Sequence, residues 1–395
     1  MSNSAKAEVK FFPPQTNALL TRILQSICYL VIYLLYEVRL VIDDRDVAKL
    51  KAIAERRVVY LPNHSNLDDG LVMFALSARV GQLFNYVVAY EAFRGLIGKL
   101  MQVVGAYSIR RGVGDRYSIV KTLEILQQPQ CKLVIFPEGG CSYQNDTTIP
   151  FRSGAIELSF KAMEKIVKQQ GSVPDFYLVP ISIKYRYPKV TPTQLAEALS
   201  RLETALSLKP AKNDFYWRLR NIAGCILANL EAEYNLTPLD VTDWNQRIED
   251  LRQRMIDYCE DKLDLTPVPD LPNRERIYKV QYILSSLSEV EQSNLNYEHL
   301  YQTTVRLLNF DAIYDGYVAT NPTIERFFDT IDRLEREIFV IDRPKSKGQR
   351  EAIVKIGTPI DLKEYWQAYQ SDRQQAIDNL TQTAQQIVQA NLNLQ

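Results

Sequence analysis

The chain has 395 residues, enough for two or three domains or for one large domain with an insertion. Its 46% hydrophobic and 24% charged residues are ordinary globular composition, which excludes wholesale disorder, a collagen-like fibre and a disulfide scaffold. Forty-seven Lys/Arg balance 47 Asp/Glu, so the basic excess usual in a nucleic-acid binder is missing and no nucleic-acid partner is expected. The zero hides an asymmetry. Positions 191–345 hold 18 Lys/Arg against 26 Asp/Glu, a balance of −8, which leaves +8 for the remainder. That basic remainder suits an anionic substrate or an anionic membrane surface.

The N-terminus opens on polar residues and Phe11-Phe12-Pro13-Pro14, so no secretory signal is expected. The most apolar stretch, 23–36, is 14 residues long. That is short for a bilayer crossing and predicts an in-plane membrane helix or a helix buried on its own domain. Tyr29, Tyr33 and Tyr36 recur at helical spacing and share one face, a residue type that tolerates a water–lipid boundary. The five cysteines are odd in number and form no C-x-x-C, which predicts reduced thiols in a cytosolic setting. Two histidines in the whole chain argue against a His/Cys zinc site, and no metal is expected.

Short β-rich runs follow at 38–42, 57–61, 86–90, 104–109, 132–136 and 177–184. Helical patterns alternate with them at 71–80, 117–127 and 154–169. Alternating strands and helices predict an α/β domain with a largely parallel sheet. From 191 to 340 helical periodicity replaces the β signal, with amphipathic segments at 195–206 and 244–262 and a proline-rich break at 266–272. No internal repeat is expected. The β signal returns at 352–356, and a glutamine-rich helix is expected over 362–392. The α/β pattern therefore resumes after some 150 helical residues, which reads as an all-helical insertion before the last strand. The boundaries are 1–44 for the N-terminal helix and first strand, 45–190 for the core, 191–345 for the insertion and 346–395 for the closing strand and C-terminal helix.

Three motifs carry chemistry, each after an expected strand, where ligands bind in α/β sheets. The first is Pro62-Asn63-His64-Ser65-Asn66-Leu67-Asp68-Asp69. An imidazole held by a carboxylate can remove a proton from a hydroxyl. Asp68 shares a helical face with His64, whereas Asp69 reaches it only if His64 sits in a turn before the helix. The second is Gly105 to Gly112, whose paired Arg110 and Arg111 suit phosphate or carboxylate recognition. The third is Phe136-Pro137-Glu138-Gly139-Gly140-Cys141-Ser142. Its glycines let backbone approach a ligand, and Glu138 can orient an acceptor or support the site. Cys141 has no basic partner nearby in sequence and reads as a small buried residue. His299 reads as an ordinary helix residue.

Taken together, these blocks resemble the glycerolipid acyltransferase family, which includes the lysophosphatidic acid and glycerol-3-phosphate acyltransferases. The resemblance spans about 38–187. It rests on His64 and Asp69, on Gly105 to Arg111, on Phe136-Pro137-Glu138-Gly139 with Pro150 to Gly154 after it, and on Val179-Pro180-Ile181. The run Ile356-Gly357-Thr358-Pro359-Ile360 looks like the family's closing strand. The resemblance implies a mostly parallel mixed sheet flanked by helices, with an N-terminal membrane-associated helix, at the cytoplasmic face of a membrane as a peripheral or monotopic protein. It implies transfer of a fatty acyl group from acyl-CoA or acyl carrier protein to a glycerolipid hydroxyl, without cofactor or covalent acyl-enzyme. His64 would be the base and Asp69 its orienting partner. Arg110, Arg111, Glu138, Gly139, Gly140, Ser142 and Arg152 would hold the acceptor. One departure bears on the substrate: family members with phosphate acceptors usually continue the third block Gly-Thr-Arg-Ser, and Cys141 stands where that arginine is expected. Arg152 could compensate, or the acceptor could lack a phosphomonoester. A silent lipid-binding member of the same fold is the alternative.

Overall fold

The computed structural model describes residues 11–209, 214–268 and 271–394. Residues 1–10 of the expected 1–44 segment, and 269–270 of the proline-rich break, lie outside them. By internal contacts the described residues divide into two compact units, an α/β unit (within 11–110, 115–188 and 349–394) and a helical unit (within 111–114 and 189–348).

The α/β unit opens with helix α1 (Ala18–Tyr36), strand β1 (Val38–Ile42), α2 (Asp44–Ala52), β2 (Arg57–Pro62) and α3 (Asp69–Val80). It continues through β3 (Asn85–Ala89), α4 (Gly95–Val103), β4 (Ala106–Ile109), α5 (Arg116–Gln127), β5 (Lys132–Val134), α6 (Gly154–Gln170) and β6 (Phe176–Arg186). The helical unit carries α7 (Pro192–Ala205), α8 (Phe215–Glu233), α9 (Trp244–Lys262), α10 (Asn273–Ser286), α11 (Glu289–Asn294), α12 (Tyr297–Phe310), α13 (Tyr317–Thr320) and α14 (Ile324–Phe339). The chain then returns to the α/β unit with β7 (Arg350–Ile356), β8 (Ile360–Asp361), α15 (Trp366–Ser371) and α16 (Arg373–Asn393).

The eight strands form one mixed sheet in the order β1-β7-β6-β2-β5-β3-β4, with β8 beside β6. Pairing is parallel except where β6 meets β7 and β8. All six residues of β2 are buried, and after Arg57 its apolar run 58–62 suits a strand covered on both faces. Alternation splits them: Val58 and Tyr60 join the core under α1, α2 and α3, while Val59 and Leu61 join the core under α5, α6 and α16.

Most element boundaries shift by one to three residues from the sequence reading, and three differences have a clear local cause. Helix α1 starts at Ala18, five residues before the apolar run, because Asn17 caps it by accepting from the Leu20 N–H. At 19 residues it is, among the described residues, a helix long and apolar enough by length and composition to cross a membrane. Its stripe Thr21, Gln25, Cys28 and Ile32 is nevertheless buried on the unit, with Gln25 Nε2 donating to Ser77 Oγ at 2.9 Å and to the Gln82 carbonyl at 2.8 Å. The expected strand at 104–109 begins at Ala106, since Val104 closes α4 and Gly105 turns the chain at φ +93°. The expected helix 362–392 is two helices, because Asp372 is extended and caps the second by accepting from the Gln375 N–H.

The helical unit contains the repeat that hydrophobic periodicity did not reveal. Leu202-Glu203, Leu230-Glu231 and Cys259-Glu260 each end a helix, and each is followed by a residue at positive φ: Ser207 (56°), Asn235 (52°) and Asp264 (51°). The next residue is a leucine whose N–H bonds back to the glutamate carbonyl at 2.8, 2.8 and 2.9 Å. The glutamate side chains then take bidentate forks from Arg218, Arg247 and Arg276 near the start of the following helix. In each pair Nε and Nη2 lie 2.7–2.9 Å from the two carboxylate oxygens. All six residues are buried. His299, on α12, pairs with Glu233 at 3.1 Å and packs against the rings of Tyr234 and Tyr258.

Candidate active site

Parallel strands β2 and β5 are neighbours, so the loops leaving their C-terminal ends lie side by side, the usual ligand position in such sheets. Where β2 ends, Asn63 takes over its ladder: its side chain accepts from the Ile183 N–H at 2.7 Å and donates to the Ile183 carbonyl at 3.0 Å. The chain then turns through His64-Ser65-Asn66 into α3, whose first residue is Asp69. Asn66 shapes the turn, since its Oδ1 accepts from the Asp68 N–H and its own N–H donates to Asp69 Oδ2. This is the geometry in which a carboxylate five residues on can face the imidazole. His64 Nδ1 and Asp69 Oδ2 are 2.9 Å apart, and Asp69 is fully buried.

With Nδ1 as the donor to Asp69, the second ring nitrogen, Nε2, is the one left to accept a proton. The ring lies against Phe136, with centroids 4.5 Å apart, and a fifth of the side chain stays accessible. The turn after β5 holds the main chain of His64. Glu138, itself buried, accepts from the His64 N–H at 2.9 Å, and the Ser142 N–H donates to the His64 carbonyl at 2.7 Å. The third block thus clamps His64 of the first, distant in sequence, from both sides. Cys141, half-buried and outside any disulfide, precedes Ser142 in this clamp.

Gly139 takes φ +70°, and a Cβ there would fall 2.4 Å from Arg152 Cζ. The guanidinium of Arg152 therefore lies directly on the Glu138–Gly139 turn, and the Arg152 N–H donates to the Pro137 carbonyl at 2.8 Å. Gly140 is buried in the same turn. The paired arginines diverge. The Arg110 guanidinium sits 4.8 Å over the Tyr90 ring, and its main-chain N–H is held by Asp115. Arg111, which groups with the helical unit, lies 4.3 Å over the Tyr278 ring and donates to its hydroxyl at 3.0 Å.

Two supporting residues were not identified from sequence. Tyr185 of β6 donates its hydroxyl to Asp69 Oδ1 at 2.7 Å. Arg350, the first residue of β7, donates to Asp68 Oδ2 at 2.7 Å and to the Tyr36 carbonyl at 2.8 Å. A tyrosine in an apolar strand reads as core, and an arginine opening a strand reads as surface, so neither gave a signal.

A histidine held by a buried aspartate at the end of a central parallel strand, with one ring nitrogen left for a proton, has the geometry a general base requires. Residues 44–184, from α2 to β6, match the family model described as Acyltransferase. The match supports an acyltransferase family for this segment, with acyl transfer as its general chemistry. No curated protein matches the chain.

Gly139→Ala is expected to lower acyl transfer about 100-fold, the scale of an ångström-sized displacement near the reacting atoms. The new methyl must displace the Arg152 guanidinium, and the left-handed backbone adds about 1–2 kcal/mol of strain. Initial rates beside a thermal melt check this, with Gly114→Ala, at an open position, as the control.

Proposed function

We propose that this protein moves a fatty acyl group from a thioester, of acyl-CoA or acyl carrier protein, to a hydroxyl of a glycerolipid acceptor of the lysophosphatidate or glycerol-3-phosphate kind. The observation that carries the reading is the 2.9 Å His64–Asp69 pair within the acyltransferase domain. His64 Nε2 takes the acceptor's hydroxyl proton as the oxygen attacks the thioester carbonyl. The tetrahedral oxyanion collapses, the C–S bond breaks, and the departing thiolate receives the proton from His64. The products are an ester and a free thiol. Arg152, seated on the Glu138–Gly139 turn, supplies a cation in the third block where Cys141 replaces the expected arginine. That supports an anionic acceptor.

A membrane surface is the proposed setting. Leu19, Ile23, Ile27, Leu30, Leu34 and Leu35 of α1 are exposed, as are Leu96 and Ile97 of α4. Helix α4 ends against the start of α1, where the Asn17 N–H donates to the Val103 carbonyl at 3.0 Å. Exposed Arg94 and Lys99 flank the α4 leucines with charge suited to anionic headgroups. An apolar groove of about 370 Å³, lined by residues including Tyr29, Tyr33, Val72 and Ala75, lies beside α1.

The test is thioester consumption on anionic liposomes, with long-chain acyl-CoA and with acyl carrier protein, against glycerol-3-phosphate, lysophosphatidate, other lysophospholipids and phosphate-free alcohols. One donor–acceptor pair should give product that His64→Ala abolishes. Product formation unaffected by His64→Ala, or confined to phosphate-free alcohols, would overturn the base or the acceptor class respectively.

A further inference from the structure

Asp69 is fully buried, and its two carboxylate oxygens have different duties. Oδ2 accepts from His64 Nδ1 and from the Asn66 N–H, both at 2.9 Å. Oδ1 accepts from Tyr185 at 2.7 Å. We propose that Tyr185 is a positioning residue of the acyl-transfer site, its hydroxyl fixing the rotamer of Asp69 and setting how strongly that carboxylate pulls on the His64 proton. The inference rests on the general-base reading of His64.

Several features support it. Tyr185 is buried, and Asn145 pins its main chain from both sides: Oδ1 accepts from the Tyr185 N–H at 2.6 Å and Nδ2 donates to its carbonyl at 2.7 Å. Arg350 packs against the ring, with its guanidinium carbon 5.4 Å from the centroid, while its forked end holds Asp68. The phenol therefore has one defined position. Burial, and then the charges of Asp69 and Asp68, push the Tyr185 hydroxyl well above the usual tyrosine range, against a smaller pull from Arg350. It stays protonated, and toward a carboxylate it can only donate.

The consequence for the dyad follows from its surroundings. The titratable and charged groups around it are Asp68 just ahead of α3, Glu138 on the β5 turn, Tyr185 on β6 and Arg350 on β7, with Tyr187 beside Arg350. A hydrogen bond to a carboxylate favours its charged form. Removing the Tyr185 hydroxyl concentrates charge on Asp69 and raises the proton affinity of the His64–Asp69 pair as a unit. The pair then holds its proton to higher pH and is a poorer base below neutrality.

Tyr185→Phe tests this, because it keeps the ring on Arg350 and deletes one oxygen. With the donor and acceptor found active, kcat is expected to fall about tenfold at pH 7, while KM for the acceptor stays within about twofold. The acid limb of the kcat profile should move up by about one pH unit. A second measurement needs no substrate. The chain has two histidines, so His299→Gln leaves a single imidazole for nitrogen NMR. In that background Tyr185→Phe should move the titration midpoint of the dyad to higher pH. An unmoved midpoint and an unchanged kcat in a folded variant would overturn the proposal. If the wild type transfers no acyl group in any pairing, the function reading falls, and the NMR midpoint alone decides whether Tyr185 governs the dyad.

Discussion

Asp69→Asn lowers kcat by about four orders of magnitude while leaving the fold in place. Both oxygens of Asp69 act only as acceptors, for three donors: His64 Nδ1, the Asn66 N–H and the Tyr185 hydroxyl. An amide can keep this geometry in one orientation only. Its oxygen must serve His64 and Asn66, and its NH2 must face Tyr185, whose hydroxyl can rotate to accept. The packing survives, but the negative charge that stabilises the imidazolium during proton transfer is gone. In hydrolases that use a His–Asp pair the same exchange reduces kcat about 10⁴-fold. Steady-state kinetics with the active donor and acceptor, beside a melt within a few degrees of wild type, check it. A loss under about tenfold would mean that Asp69 only shapes the turn. His64→Ala should be no less severe, since it removes the base itself.

The dyad was legible in the sequence because it is local. A Pro-Asn-His-Ser-Asn turn between a strand and a helix allows a His64 placed ahead of the helix, and the family resemblance, not the spacing, selects Asp69 over Asp68. The fold class was legible for a similar reason. The runs at 132–136 and 177–184 are nearly continuous apolar sequence, as strands covered on both faces are, and segments of helical period separate the strands. Tyr185 and Arg350 were not legible, because they meet Asp69 and Asp68 across 116 and 282 residues of chain. Only the placement of β6 between β2 and β7 brings them there. The repeat escaped for another reason. It is written in positions rather than in residue identities, with serine, asparagine and aspartate sharing one left-handed position, and Ile222, Leu251 and Val280, like Ile226, Met255 and Leu284, sharing one buried position each. Asp372 shows the reverse limit. In a glutamine-rich stretch a single capping residue divides what periodicity reads as one helix.

Arg247→Ala destabilises the helical unit by about 3–5 kcal/mol, the scale for deleting one partner of a buried ion pair. The side chains of Arg247 and Glu231 are only 10% and 6% exposed, so the glutamate would be left desolvated with no cation to neutralise it. The effect should spread through neighbouring helices. Helix α8 carries both Arg218 and Glu231, and α9 carries both Arg247 and Glu260, so each helix is a link between two forks. Stability in such an array depends on nearest-neighbour interfaces. Urea unfolding followed by segment-resolved hydrogen exchange should show protection falling first in α8 and α9. Replacing both partners, Arg247→Met with Glu231→Leu, should restore most of the loss, because apolar side chains of similar size need no charge compensation. A single-variant effect below about 1 kcal/mol would place the fork with exposed pairs, whose contribution is that small. The two arms separate what the fork contributes to stability from what it contributes to register. If the double variant is stable yet loses exchange protection at the Asn235 turn, the three matched forks set the spacing of successive helices more than they hold them together.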